Sequence, residues 1–133
     1  MSIRKIMSQS LTTIKMDDSL GHIQKLFNHS PFHHLLVVSN QKLVGIISDR
    51  DLFKALSPNL GTGHENTKDL ACLRKKAHQI MARHPITLLA SDKVQEAIKI
   101  FNAHSISCIP ITDKEGKPIG MLSWRDILRC IEK

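Results

Sequence analysis

The chain repeats itself, and that limits its possible folds more than any other feature. Displaced by 74 residues, Ile6-Met7 falls on Ile80-Met81, Thr13 on Thr87 and Asp18 on Asp92. Lys25-Leu26-Phe27-Asn28 falls on Lys99-Ile100-Phe101-Asn102. One extra residue in the second copy moves the offset to 75, and Gly45-Ile46-Ile47-Ser48-Asp49-Arg50-Asp51 then falls on Gly120-Met121-Leu122-Ser123-Trp124-Arg125-Asp126. An ordered run of matches with one small gap marks an internal duplication, which sets the architecture before any single element is read.

Each copy has the same local grammar. Leu20, Ile23, Leu26 and Phe27 recur at helical spacing behind Ser19, a residue type that caps helix starts. Val94, Ala97, Ile98 and Phe101 do so behind Asp92. Residues 35–38 and 109–111 are short, apolar and partly β-branched, so they predict strands. Turn-forming residues follow, Ser39-Asn40-Gln41-Lys42 and Asp113-Lys114-Glu115-Gly116-Lys117-Pro118, and the inserted residue falls in the second of these. Strands at 44–47 and 119–122 come next. Final helices begin near Asp49 and Trp124, with Leu52, Leu56 and Ile127, Ile131 as apolar positions.

Two helices cover only one face of a small sheet. Leu35, Val37 and Ile46, with Ile109, Ile111 and Met121, are assigned to the other face, so the copies are expected to pair sheet to sheet. Residues 1–56 form the first repeat, 57–76 a connector and 77–133 the second repeat. In the connector Pro58, Gly61 and Gly63 predict a loop. Thr67 then predicts a helix start, with Leu70, Leu73, Ala77 and Ile80 on one side.

Composition narrows the function. The net charge is +7 with histidine neutral, which favours anionic partners. The densest basic cluster, Arg74-Lys75-Lys76, is read as a solvated face. Aromatic residues are 4% of the chain, too few for the stacking platforms of single-strand binders. Cys72, Cys108 and Cys130 have no metal-ligand or disulfide spacing, and the eight histidines form no ligand motif, so no metal is expected. No catalytic constellation is evident. Neither a signal segment nor a membrane span is legible, and a cytoplasmic protein is expected.

The doubled Gly-φ-φ-Ser-x-x-Asp motif (φ apolar) and the Ile-Met start of each copy resemble the CBS domain family, whose tandem pairs are called Bateman modules. The resemblance spans nearly the whole chain outside the connector. It implies an α+β fold of two βαββα repeats packed sheet to sheet with pseudo-two-fold symmetry. It also implies adenosine ligands such as AMP, ADP, ATP or S-adenosylmethionine in clefts between the repeats, a homodimer, and a regulatory role toward an effector protein rather than catalysis. No cofactor is required. One departure stands out: Leu36 occupies the place of a proline that the second copy keeps as Pro110.

The motif's chemistry has two readings. Ser48 and Ser123 end a strand, where a hydroxyl and the following helix N–H groups suit a phosphate. Asp51 and Asp126, one turn on, suit the two hydroxyls of a ribose. The same spacing also makes a capping box. By the resemblance, Ile46, Ser48 and Asp51 act with Ala82, Thr87, Ile106 and Ser107. Met121, Ser123 and Asp126 act with Ser8, Thr13, Phe32 and His33. Arg50 and Arg125 are candidate phosphate contacts. Two alternatives remain at this stage, a basic nucleic-acid binder and a structural or interaction dimer with vestigial clefts.

Overall fold

The computed structural model describes residues 1–29 and 31–131. The first repeat runs β1 (Thr13–Lys15), α1 (Leu20–Asn28), β2 (His34–Ser39), β3 (Lys42–Ser48) and α2 (Asp49–Ala55). The connector follows with α3 (Thr67–Ala71) and a 3₁₀ turn (Cys72–Arg74), and α4 (Ala77–Ile80) and β4 (Ala82–Arg83) then open the second repeat. It continues with β5 (Leu88–Leu89), α5 (Val94–Ala103), β6 (Cys108–Thr112), β7 (Pro118–Ser123) and α6 (Trp124–Ile131). This is an α+β fold with two mixed sheets.

One sheet has the order β1-β2-β3-β4, and the other β5-β6-β7. In each, the first strand runs parallel to the second, Thr13 opposite Leu36 and Leu88 opposite Ile111. The helix between them supplies the crossover that a parallel pair requires. The hairpins differ as the insertion demands. Asn40 and Gln41 both have positive φ, 50° and 67°, the signature of a two-residue type I′ turn. In the second copy the Asp113 carboxylate accepts from the N–H groups of Glu115 and Lys117, and Gly116 takes a φ of 90°.

The compact units of the structure exchange segments between the repeats. One unit comprises Met1–Thr12, Asn40–Leu43 and His84–Lys133; the other comprises Thr13–Ser39 and Val44–Arg83. The stretch that opens each repeat therefore belongs with the other repeat's sheet. Ala82 and Arg83 pair antiparallel with Ile46 and Gly45. Ser8, the counterpart of Ala82, exchanges both backbone hydrogen bonds with Met121, at 2.8 and 2.9 Å. The motif glycines make room for these edges. A Cβ on Gly45 would stand 2.5 Å from Met81 Sδ, and one on Gly120 would stand 2.8 Å from the Ser8 carbonyl oxygen.

Each unit has its own core. Ile14, Leu20, Ile23, Leu35, Val37, Ile47, Leu52, Ala77 and Met81 form one. Ile3, Ala90, Val94, Ala97, Ile109, Ile111, Leu122 and Ile127 form the other. This corrects the assignment of sheet faces. Leu35, Val37, Ile109 and Ile111 lie on the helix-covered faces, with Ile47 and Leu122. The alternation of strand side chains puts Leu36, Ile46, Pro110 and Met121 on the opposite faces. Leu36 and Pro110 are fully buried.

Two helix expectations also change. The connector is not one helix: Asn66, not Thr67, caps α3, and the chain is extended at Lys75 and Lys76. The backbone there turns to the first repeat, with Leu20 N–H donating to Lys75 O and Ala77 N–H to Asp18 O. Ser19 caps α1 as expected, accepting from His22 N–H at 3.2 Å. Asp92 does not cap α5, because its carboxylate accepts from Leu89 N–H at 2.7 Å, and Lys93 holds the cap position.

Candidate functional site

Both motifs lie where a strand passes directly into a helix. β3 ends at Ser48 and α2 begins at Asp49; β7 ends at Ser123 and α6 begins at Trp124. At the first junction Ser48 Oγ accepts from Asp51 N–H at 3.1 Å, and Ser48 N–H donates to Asp51 Oδ2 at 2.9 Å. At the second, Ser123 Oγ accepts from Asp126 N–H at 3.2 Å, and Ser123 N–H donates to Asp126 Oδ2 at 2.9 Å. Each pair is a reciprocal capping box, which satisfies donors that a helix start leaves over.

Capping does not exhaust these side chains. A carboxylate has about four acceptor positions, and a hydroxyl that accepts still has a proton to donate. The four side chains are all half-buried, so part of each faces water.

The other expected site residues have these positions, each within its own unit. Ile46 lies opposite Ala82 across β3 and β4, with Ile46 half-buried and Ala82 exposed. Met121, half-buried, lies opposite Ser8, exposed. Thr13 is exposed at the start of β1, and Thr87 is exposed just before β5. Phe32 and His33 immediately precede β2, as Ile106 and Ser107 precede β6. Arg50 and Arg125 are exposed on the first turns of α2 and α6.

The structure adds Asp49, as a partner of His33, and Arg129, as a partner of Asp126, to the expected site residues. His33 Nδ1 lies 3.0 Å from Asp49 Oδ2, and Asp49 N–H donates to His33 O at 3.0 Å. A carboxylate only accepts, so His33 carries its proton on Nδ1. That hydrogen bond holds the Asp49 carboxyl below its ordinary range, against the opposing effect of burial and with help from the Arg50 backbone N–H. The resulting stability is present above the ordinary value of 3.8 and is lost as pH falls through the lower folded value. At the second junction Arg129 Nη1 stands 3.9 Å from Asp126 Oδ1. Asp49 is a position where the two motifs differ, with Trp124 as its counterpart, and the sequence shows that difference but not the pairing with His33.

Burial pushes the His34 imidazole below its ordinary value, with His33 reinforcing the effect and Asp49 and Asp51 opposing it. Cys108 lies opposite Ser123 on β6. Burial, and then the Asp126 charge, push its thiol up to about 12, so it stays a neutral core residue rather than a nucleophile. Among the described residues no group of three or more His, Cys, Asp or Glu side chains is placed to hold a metal ion. No helix there is long and apolar enough to cross a membrane.

Two βαββα repeats, each closed by a Ser-x-x-Asp junction, define a tandem-repeat protein. The CBS domain model matches residues 3–58 and 77–133, and the chain belongs to that family. It is 36% identical over 133 residues to a CBS domain-containing protein of Dictyostelium discoideum, covering 98% of this chain and 91% of that one. It is 29% identical over 130 residues to the homoserine O-acetyltransferase of Methanococcus vannielii, but covers only 24% of that enzyme. Among solved structures, the CBS domain pair of protein MJ0100 in complex with 5′-methylthioadenosine and S-adenosyl-L-methionine matches with a TM-score of 0.80. The identity is 26%, with 99% of this chain and 96% of that chain covered.

Proposed function

We propose that the chain is a regulatory module of the cytoplasm that binds an adenosine ligand, AMP, ADP, ATP or S-adenosylmethionine, and passes the change to an effector protein without catalysis of its own. The observation that carries this reading is the recurrence of one Ser-Asp arrangement at the same strand-to-helix junction in both repeats. Two like junctions suit two binding events better than one asymmetric active site. The adenosine ligands of the MJ0100 domain pair support the ligand class. In this reading Ile46, Ser48 and Asp51 act with Ala82, Thr87, Ile106 and Ser107. Met121, Ser123 and Asp126 act with Ser8, Thr13, Phe32 and His33. Arg50 and Arg125 reach phosphates.

The test is ligand binding followed through Trp124, which is 48% exposed and adjoins Ser123. Adenosine ligands are expected to change its fluorescence saturably. A ligand at 100 times its dissociation constant should also add about 2.7 kcal/mol of stability. Asp126→Ala is expected to weaken binding by about 1.5–3 kcal/mol, the loss of hydrogen bonds to a charged group. It should also cost about 1 kcal/mol of stability through the lost cap. Asp51→Ala should leave the Trp124 signal largely intact. Equal effects of the two substitutions on that signal, or a stability loss with unchanged affinity, would leave the junctions as caps alone.

A second observation favours self-association. Phe53 on α2 and Leu128 on α6 hold the same place in the two repeats and are 73% and 52% exposed, and Ile131 is 71% exposed. Apolar residues so placed on helices suit a partner surface, and we propose a homodimer through these helices. Light scattering at micromolar concentration should give twice the mass of the chain, and Phe53→Glu with Leu128→Glu should return it to the monomer value.

A further inference from the structure

The two junctions share a motif but differ in charge. At equivalent positions the first carries Asp49, Arg50, Asp51 and Lys54, and the second carries Trp124, Arg125, Asp126 and Arg129. The first set is neutral and the second has one positive charge in excess. The difference is held in place by the structure. Asp49 is tied to His33 twice, through its carboxylate at 3.0 Å and its backbone N–H at 3.0 Å. A neutral imidazole is enough to make the first of these bonds, so the carboxylate keeps its full charge. Ser48 therefore has an ionised carboxylate as its immediate neighbour and a second, Asp51, bonded to its own N–H. Ser123 has an indole as its neighbour, and its one acid, Asp126, lies 3.9 Å from the Arg129 guanidinium.

We propose that Asp49 is a specificity-determining residue: the first junction takes an uncharged or cationic adenosine ligand and turns away a phosphorylated one, while the second takes the phosphorylated ligand. The inference rests on the adenosine reading above and adds the ligand class of each junction. A phosphate placed to meet Ser48 would lie within a few ångströms of the Asp49 carboxylate. At ~6 Å and an effective dielectric of about 40, between that of a protein surface and that of bulk water, the repulsion between two unit charges is worth about a tenfold change in affinity. A nucleoside without phosphate does not feel it.

The experiment is calorimetric titration of the full chain with adenosine and with AMP. In an Asp126→Ala background, which weakens the second junction so that the first dominates, adenosine is expected to bind more tightly than AMP. Adding Asp49→Asn keeps an acceptor for His33 and removes the charge. It should raise AMP affinity about tenfold and change adenosine affinity by less than about twofold. The reverse exchange, Trp124→Asp in the otherwise native chain, replaces an exposed side chain with one favoured in a first helical turn. It should lower the tighter AMP affinity by a similar factor and spare adenosine, and it does not depend on Asp126→Ala folding well. If either substitution shifts both ligands equally, or leaves the AMP-to-adenosine ratio unchanged, the assignment of Asp49 is wrong while the adenosine reading stands. If neither these two ligands nor ADP, ATP or S-adenosylmethionine binds the native chain, both fall.

Discussion

Replacing Ile3 with alanine is expected to destabilise the protein by about 2–5 kcal/mol, measured as the shift of its urea unfolding transition. Ile3 has no exposed surface. It packs in the second repeat's core, with Val94, Ile109, Ile111, Leu122 and Ile127, although it lies at the opposite end of the chain. The backbone around it is fixed as well: Ile3 N–H donates to Asp92 O, Arg4 N–H to Ala90 O, and Val94 N–H to Met1 O. The arm therefore has little freedom to collapse into the space a truncated side chain leaves, which places the cost well up the range. Domains of this size have roughly 5–15 kcal/mol in total, so the substitution removes a large share. A loss below about 1 kcal/mol would show that the arm is not seated in that core in solution.

The second large effect is expected at Gly120. An alanine Cβ there would stand 2.8 Å from the Ser8 carbonyl oxygen and 3.0 Å from Met7 Sδ. The carbonyl cannot withdraw, because it accepts from Met121 N–H at 2.9 Å while Ser8 N–H donates to Met121 O at 2.8 Å. Overpacking of this kind costs about 1–3 kcal/mol, and Gly120→Ala is expected toward the upper end because relief breaks a hydrogen-bonded pair. Gly45→Ala should cost less. Its nearest obstacles are Met81 Sδ at 2.5 Å and Cγ at 2.9 Å, atoms of a side chain with several rotatable bonds, and the nearest backbone atom, Ala82 O, stands farther off at 3.1 Å. The ordering of the two in thermal or urea unfolding is the check, and Met81→Ala should partly restore Gly45→Ala while Met7→Ala does little for Gly120→Ala.

These two positions show what the sequence could and could not reveal. Motif glycines announce that something approaches closely, but local pattern does not say whether it is a ligand or a backbone. Here the edges that approach are those of Ser8 and Ala82. The repeat offset located the strands and helices well, because each copy carries its own alternation and helical spacing. The sheet faces were misassigned because Leu35-Leu36-Val37-Val38 is apolar throughout, as strands buried on both faces are, and offers no alternation to orient it. The connector helix was overextended because contacts from Asp18 and Leu20, distant in sequence, hold Lys75 and Lys76 in extended backbone. At the candidate junctions the Ser and Asp pairs were legible. The His33–Asp49 pair was not, since it joins residues sixteen apart that belong to no shared motif.

The exchange of opening segments changes what a break in the chain would mean. A protease cutting near Gly61 or Gly63, where the connector loops out and both glycines have open space around Cβ, would not release two independent domains. The amino-terminal fragment would still hold Met1–Thr12 and Asn40–Leu43 of one unit, and the carboxy-terminal fragment would still hold Ala77–Ile80 and Ala82–Arg83 of the other. Each fragment would be a partial copy of both units, held to its counterpart by the Ser8–Met121 and Ala82–Ile46 pairings. Neither repeat is a self-sufficient evolutionary cassette in its present form. A gene encoding one of them alone would yield a chain missing the edge segment that completes its own sheet.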